Sequence, residues 1–401
     1  MRSHYKRIGD YVTQIKLKNT DDSISSLKGI NINKHFMPSV ANINGTDLSK
    51  YRVVKKNQFA FNPMHVGRDE VLPISMLEDD EPIIVSPAYV VFEVKEEEEL
   101  LPAYLMMWCR RSEFDRNAWF MTDNSVRGGF SWADFCDMEL PVPSIEKQRE
   151  IVREYNVVND RIALNEQLTQ KLEDTAQAIY KQWFVDFEFP ISKEYAQSIG
   201  KPELEGKSYK SFGGEMEYCE ELNVQIPIGW EPIALGEVAD IKAGGDRPSI
   251  VSDFMTEECN VPIYANSTEN EGLYGYTNKA KVKENSITVS ARGAIIGYTV
   301  LRLEPFVPIV RLIVVTPKKQ ELLNYLFESI NQFQFDSAAS AQGQLTAPEM
   351  KGRIILSPLP NTLEKYQKTT STLISNMRNI KEQSKTLSNL KLVLLQRMSK
   401  A

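Results

Sequence analysis

The sequence predicts an α+β chain in which two β-rich globular domains are separated by two long antiparallel coiled-coil helices, arranged as a pseudo-twofold internal repeat. Three observations carry this expectation. Short blocks recur in the same order about 215 residues apart (131 to 346, 143 to 358). Two stretches free of Gly and Pro repeat apolar residues in alternating steps of four and three, the a/d register of helices packed along a narrow seam. The segment before each is rich in Val, Ile, Tyr and Phe, broken by Gly, Pro and Asn.

The first domain, residues 1–143, opens with Arg7-Ile8-Gly9-Asp10-Tyr11-Val12. Pro82-Ile83-Ile84-Val85-Ser86 and Tyr89-Val90-Val91-Phe92-Glu93-Val94 are expected strands, and residues 102–111 an expected helix. The domain closes on Ser131-Trp132-Ala133-Asp134 and then Leu140-Pro141-Val142-Pro143. A central helix is predicted over 144–189, with Ile151, Tyr155, Val158, Ile162, Asn165, Thr169, Leu172, Ala176, Ile179 and Trp183 on its seam and Pro190 as its stop. Residues 190–225 hold Gly, Lys and Glu without periodicity and read as a linker.

The second domain, residues 226–359, repeats the plan. Ala234-Leu235-Gly236-Glu237-Val238 opens it, Ser286-Ile287-Thr288-Val289-Ser290 is an expected strand, and 319–335 an expected helix. Thr346-Ala347-Pro348-Glu349 and Leu356-Ser357-Pro358 close it. The distal helix, 360–401, places Leu373, Met377, Ile380, Ser384, Leu387, Leu390, Leu394 and Met398 on a seam. Because the order is domain, helix, domain, helix, a shared seam requires the second helix to return antiparallel to the first. About 40 residues at 1.5 Å each give a rod of roughly 60 Å, which could act as a ruler.

Composition narrows the function. A chain of 401 residues exceeds one ordinary core. No apolar run approaches the ~20 residues of a membrane-spanning helix, and the stretch from Met1 to Arg7 lacks the apolar centre of a secretion signal; an intracellular, membrane-free protein is expected. Cys109, Cys136, Cys219 and Cys259 lie far apart and read as free thiols, and His4, His35 and His65 are not at ligand spacing, so no metal is expected. The net charge of −7 argues mildly against nucleic acid, but Glu96–Glu99 alone supplies four negatives and 47 Lys and Arg remain. No phosphate loop, dinucleotide turn or nucleophile elbow occurs. Asn62-Pro63-Met64 lacks the second proline and the aromatic residue of an amino-methyltransferase motif and reads as a turn. No catalytic residue is expected.

Two β-rich halves that each close on a proline block and continue into a coiled-coil helix resemble the specificity subunit of type I restriction–modification systems. The likeness is strongest in Gln177-Ala178-Ile179-Tyr180-Lys181, Trp183-Phe184-Val185-Asp186-Phe187-Glu188-Phe189-Pro190, and Ile226-Pro227-Ile228-Gly229-Trp230-Glu231-Pro232. The second repeat departs from the first in carrying Tyr366 where the first has Gln148. The resemblance implies a non-catalytic, cytoplasmic subunit of a prokaryotic cell. It would bind double-stranded DNA, read a bipartite target with one recognition domain per half-site, and scaffold two methyltransferase subunits and endonuclease/translocase subunits. S-adenosylmethionine, ATP and magnesium would belong to those partners, with no cofactor in this chain. A coiled-coil adaptor with two protein-binding ends is the alternative.

Reading bases requires side chains that reach their edges: Arg and Lys to guanine, Asn and Gln to adenine. The candidates are Lys34, His35, Asn42, Asn44, Arg68, Asn124 and Arg127 in the first domain, and Arg247, Asn266, Asn278, Lys279, Arg292, Gln342 and Gln344 in the second. Lys55, Lys56, Lys281 and Lys283 are expected to contact phosphates, which position without specifying. Trp183, Phe184, Phe187 and Phe189 are expected either to pack against the second domain or to anchor a partner helix.

Overall fold

The computed structural model describes residues 5–39, 46–64, 66, 70–122, 129–335 and 344–400. The chain divides into two units, residues 1–167 with 381–401, and residues 168–380.

In the first unit, β1 (Tyr5–Arg7), α1 (Ile8–Tyr11) and β2 (Val12–Ile15) are followed by a hairpin of β3 (Lys28–Ile30) and β4 (Phe36–Pro38). Next come β5 (Arg52–Val54), β6 (Phe59–Phe61), β7 (Ile74–Met76), β8 (Ile83–Val85) and β9 (Val90–Val94). The main sheet is antiparallel in the order β2-β9-β6-β7. Its inner face is aromatic: Phe59 stacks on Phe92 at 4.8 Å between ring centres and Phe61 on Phe135 at 5.4 Å. Helix α2 (Pro102–Cys109) is apolar on every side and buried but for the half-buried Ala103, as such a helix must be. After α3 (Ser112–Phe120) and α4 (Trp132–Asp137), β10 (Glu139–Pro141) pairs back onto β1, Tyr5 opposite Pro141. It then leads into the 36-residue helix α5 (Ile145–Tyr180).

In the second unit, α6 (Lys193–Ser198) and a hairpin of β11 (Met216–Cys219) and β12 (Val224–Pro227) precede β13 (Glu231–Ala234), α7 (Leu235–Val238) and β14 (Ala239–Ala243). Strands β15 (Val261–Tyr264), β16 (Leu273–Thr277), β17 (Ser286–Ser290), β18 (Thr299–Arg302), β19 (Val307–Pro308) and β20 (Leu312–Pro317) follow. Then come α8 (Leu323–Asn331), α9 (Ala347–Lys351), β21 (Ile354–Ser357) and α10 (Pro360–Arg397). The main sheet runs β14-β20-β17-β18, and β21 pairs back onto β13. This is the order of the first unit strand for strand. The repeat seen in a few residues is therefore a repeat of topology.

The matched residues explain why. Ser131 caps α4 through the Asp134 amide while the Asp134 carboxylate takes the Ser131 amide; Thr346 and Glu349 form the same reciprocal cap on α9. The paired glycines sit where α1 meets α4 and α7 meets α9. A Cβ on Gly9 would lie 2.7 Å from Cys136 Cβ, and one on Gly236 3.1 Å from Lys351 Cβ. Only glycine permits the closer of these approaches.

Residues 145–167 of α5 and 381–397 of α10 belong to the first unit. Asn165 there is 1% exposed and donates from Nδ2 to Gln383 Oε1 and Ser384 Oγ, both at 3.1 Å. Ten residues earlier, Tyr155 lies under the Lys391 ammonium at 5.3 Å and packs with Leu395 and Met398. Partners move up one helix as they move down the other, so the pairing is antiparallel. The burial pattern follows the expected seam through Ile151, Tyr155, Val158, Ile162, Leu172 and Ile179 of α5, and through Leu373, Met377, Ile380, Leu387 and Leu394 of α10. The exception is Leu390, 44% exposed: after Leu387 the step of four falls on Lys391.

Two expectations are corrected. The regular helix ends at Tyr180, and Lys181–Val185 form a π-helical turn. Trp183 thus leaves the seam for the core of the second unit, where Trp183, Phe184, Phe187 and Phe189 are all buried and Phe189 stacks on Trp230 at 5.0 Å. These aromatics pack internally and are not available to a partner. The segment read as a linker is folded: Ile191, Ala196, Tyr209 and Cys219 join the same core. Its apolar residues stand singly among charges, so no period marks their burial.

Candidate nucleic-acid interface

In the second unit the expected readers fall into two groups. The loop after β14 carries Arg247, whose guanidinium lies 5.3 Å over the Tyr274 ring on β16, and the Lys281 ammonium reaches the Asp246 carbonyl at 3.5 Å. Asn278, Lys279 and Lys283 are exposed on the segment between β16 and β17. Loop and segment together expose Arg247, Lys279, Lys281 and Lys283, with Asp246 and Glu284 among them. Beside the loop in sequence stand Ile250, Phe254 and Met255, with Phe254 78% exposed.

The other group faces inward. Asn266 Oδ1 accepts from the Ala291 amide at 2.8 Å and the Arg292 amide at 3.3 Å, while its Nδ2 donates to the Arg292 carbonyl at 3.2 Å. Arg292 Nε donates to Gln344 Oε1 at 2.6 Å across an isolated β-bridge. These contacts fasten the end of β17 to residue 344. Asn266 is thereby a fastening residue, a correction to its expected role in base reading.

In the first unit Lys34 is corrected as well. It is 4% exposed, has left-handed backbone (φ 63°), and its Nζ donates to both Asp115 oxygens, at 2.7 and 2.8 Å, and to the Cys109 carbonyl. Burial lowers the Lys34 pKa and raises that of Asp115, and the attraction of each for the other opposes both shifts. A cation sealed in this way cannot meet a base. His35 is exposed, its imidazole held below the usual range by partial burial and by Arg110 and Lys391 nearby. Lys55 is exposed, and Lys56 is exposed and paired with Asp80 at 2.7 Å. Asn42, Asn44, Arg68, Asn124, Arg127 and Gln342 lie outside the described residues.

Two features escaped the sequence reading. Trp119 and Phe120 are exposed at the end of α3, Phe120 at 86%. Tyr274, which supports Arg247, sits in the alternation Leu273-Tyr274-Gly275-Tyr276-Thr277, whose outward positions could have been read as a stacking platform. Among the described residues no three His, Cys, Asp or Glu side chains group as a metal site, and no helix is long and apolar enough to cross a membrane.

Comparison with known proteins places this architecture. Residues 227–390 match the family described as Type I restriction modification DNA specificity domain. The type I restriction enzyme HindI specificity subunit of Haemophilus influenzae is 22% identical over 91% of both chains. Two putative type I specificity subunits of Mycoplasma pneumoniae are each 36% identical over shorter stretches, 29% and 33% of this chain, which span only 35% and 36% of their own lengths. The crystal structure of a type I restriction–modification S subunit from M. genitalium shares the fold with a TM-score of 0.57 at 13% identity, over 98% of this chain and 95% of that one. The doubled sheet order and the closing strands that run into long helices thus accompany a type I restriction–modification DNA specificity domain over residues 227–390, and the chain as a whole is similar in fold to an S subunit of such a system.

Proposed function

We propose that this chain is the non-catalytic subunit that reads DNA for a type I restriction–modification complex, one half-site of a bipartite duplex target per unit. The observation that carries the proposal is the duplicated unit itself: the same main-sheet order, the same reciprocal cap and the same closing strand occur twice in one polypeptide. Two similar readers on one chain suit a target with two specified parts. In the second unit Arg247, Asn278 and Lys279 are the base-reading candidates, and Lys281 and Lys283 the phosphate contacts. The Arg247 guanidinium lies 5.3 Å from the centre of the Tyr274 ring, and a guanidinium fork is the group that reads guanine bidentately.

The long helices serve as the frame on which two methyltransferase subunits and the endonuclease/translocase subunits assemble in the cytoplasm. Their outer faces support this part of the reading: Val157 and Leu164 on α5 and Leu392 and Val393 on α10 are exposed apolar residues on otherwise polar helices. S-adenosylmethionine, ATP and magnesium belong to those partners. The deciding experiment maps modified bases across the host genome with and without this gene. A two-part motif with a fixed spacer should disappear on deletion, and an unchanged methylation pattern would refute the proposal.

A further inference from the structure

A cavity of 640 Å³ in the first unit opens between the start of α3 and the last turns of α10. Arg110, Arg111 and Arg116 line one side and Arg397 the other. Four guanidiniums around one hollow repel each other unless negative charge offsets them. Acids already offset part of this charge: Glu113 pairs with Nη2 of Arg111 and Glu78 stands 3.8 Å from Nη2 of Arg110, while Asp115 is engaged by the buried Lys34.

Donors remain open. The Arg111 side chain is 5% exposed, yet its Nη1 is buried with no hydrogen-bond partner among the described residues, and the same holds for Nε of Arg110. Buried donors without acceptors are costly; both atoms are closed to solvent, so a ligand in the hollow would meet the outer nitrogens of these two side chains. Helix α3 adds to the demand, because its cap, Arg111, provides no side-chain acceptor and leaves the first-turn amides at the positive end of the helix.

We infer that this cavity is a phosphate-anion site, with Arg110 and Arg111 as its inner donors and Arg116 and Arg397 closing on the anion from opposite sides. Guanidinium forks match the oxygens of a phosphate in pairs, and the volume lies in the range of small-ligand pockets. A bound anion ties the end of α10 to α3. The phosphate could come from a free phosphate compound or from a DNA backbone.

The test is calorimetric titration of the full chain with pyrophosphate, without DNA and at ionic strength fixed with potassium chloride. One saturable site is expected, and Arg116→Gln with Arg397→Gln should weaken it at least tenfold. Both arginines are exposed, so the double variant should keep the wild-type circular dichroism and melting profile without ligand. Absence of saturable binding, or equal binding by the folded double variant, overturns the inference. A repeat with saturating duplex DNA separates the sources: loss of the pyrophosphate site assigns it to the DNA backbone, and retention to a free phosphate compound. Since the first titration omits DNA, a failure of sequence reading would leave its result intact.

Discussion

Glu328 on α8 offers a perturbation whose sign and size can be worked out. The residue is 5% exposed, and its Oε2 has no hydrogen-bond partner among the described residues. Burial, opposed by a hydrogen bond from Asn331 and aided by the negative charge of Glu173, raises its carboxyl from 4.5 to about 7. At 1.36 kcal/mol per pH unit, that difference corresponds to about 3 kcal/mol. Below pH 4.5 the proton is present in both folded and unfolded chains, and the site costs nothing. Between 4.5 and 7 the unfolded chain releases the proton while the folded one keeps it, so stability falls as pH rises. Above 7 the full cost applies.

Glu328→Gln keeps the shape and removes the charge. It should leave the melting temperature nearly unchanged at pH 4.5 and raise it at pH 8, by roughly 6–12 °C for a unit of this size. Differential scanning calorimetry at four pH values measures this directly. A gain that is the same at pH 4.5 and pH 8, or a loss at both, would refute the electrostatic argument and leave only packing.

Arg247→Ala should relax specificity at one position of the half-site read by the second unit, costing about 1–3 kcal/mol, while Lys281→Ala should weaken all sequences alike and reduce the salt slope by about one; binding to a panel of single-base variants at several salt concentrations tests both. Lys34→Met should destabilise the first unit by about 3–5 kcal/mol because Asp115 is left buried and unpaired; urea unfolding measures the loss, and the recognised sequence should stay the same in protein that remains folded. Adding one matched heptad to α5 and to α10 lengthens each by about 10 Å and should widen the recognised spacer by about three base pairs at ~3.4 Å each; an unchanged spacer in the modified-base map would rule out a measuring role for the helices.

Much of the scaffold was legible because its signals are local and periodic. Ser131 and Thr346 cap helices through contacts three residues away, so the same spacing recurs wherever the cap does. The seam from Ile151 to Ile179 follows from the pitch of a helix, and its positions are buried or half-buried where the neighbouring ones are mostly exposed. The miss at Leu390 has a simple cause: an apolar residue one position off the register looks as good as Lys391, whose long stem can lie over Tyr155 with its charge above the ring. Base-reading residues were harder to choose, since the sequence does not distinguish an exposed polar side chain from a fastened one. Asn266 is spent on the backbone of residues 291–292 and Lys34 on Asp115, partners 25 and 81 residues away. Only the fold brings such pairs together.

The ladders β1–β10 and β13–β21 have a consequence for how such a chain can change. Each clasps the strand ahead of a short helix, α1 or α7, to the strand after a capped one, α4 or α9, so the segment between them enters and leaves through one narrow neck. Whatever lies beyond that neck can be lengthened, shortened or replaced wholesale with little strain passed to the helix that follows. One such segment could then be exchanged for another while the long helices stay as they were.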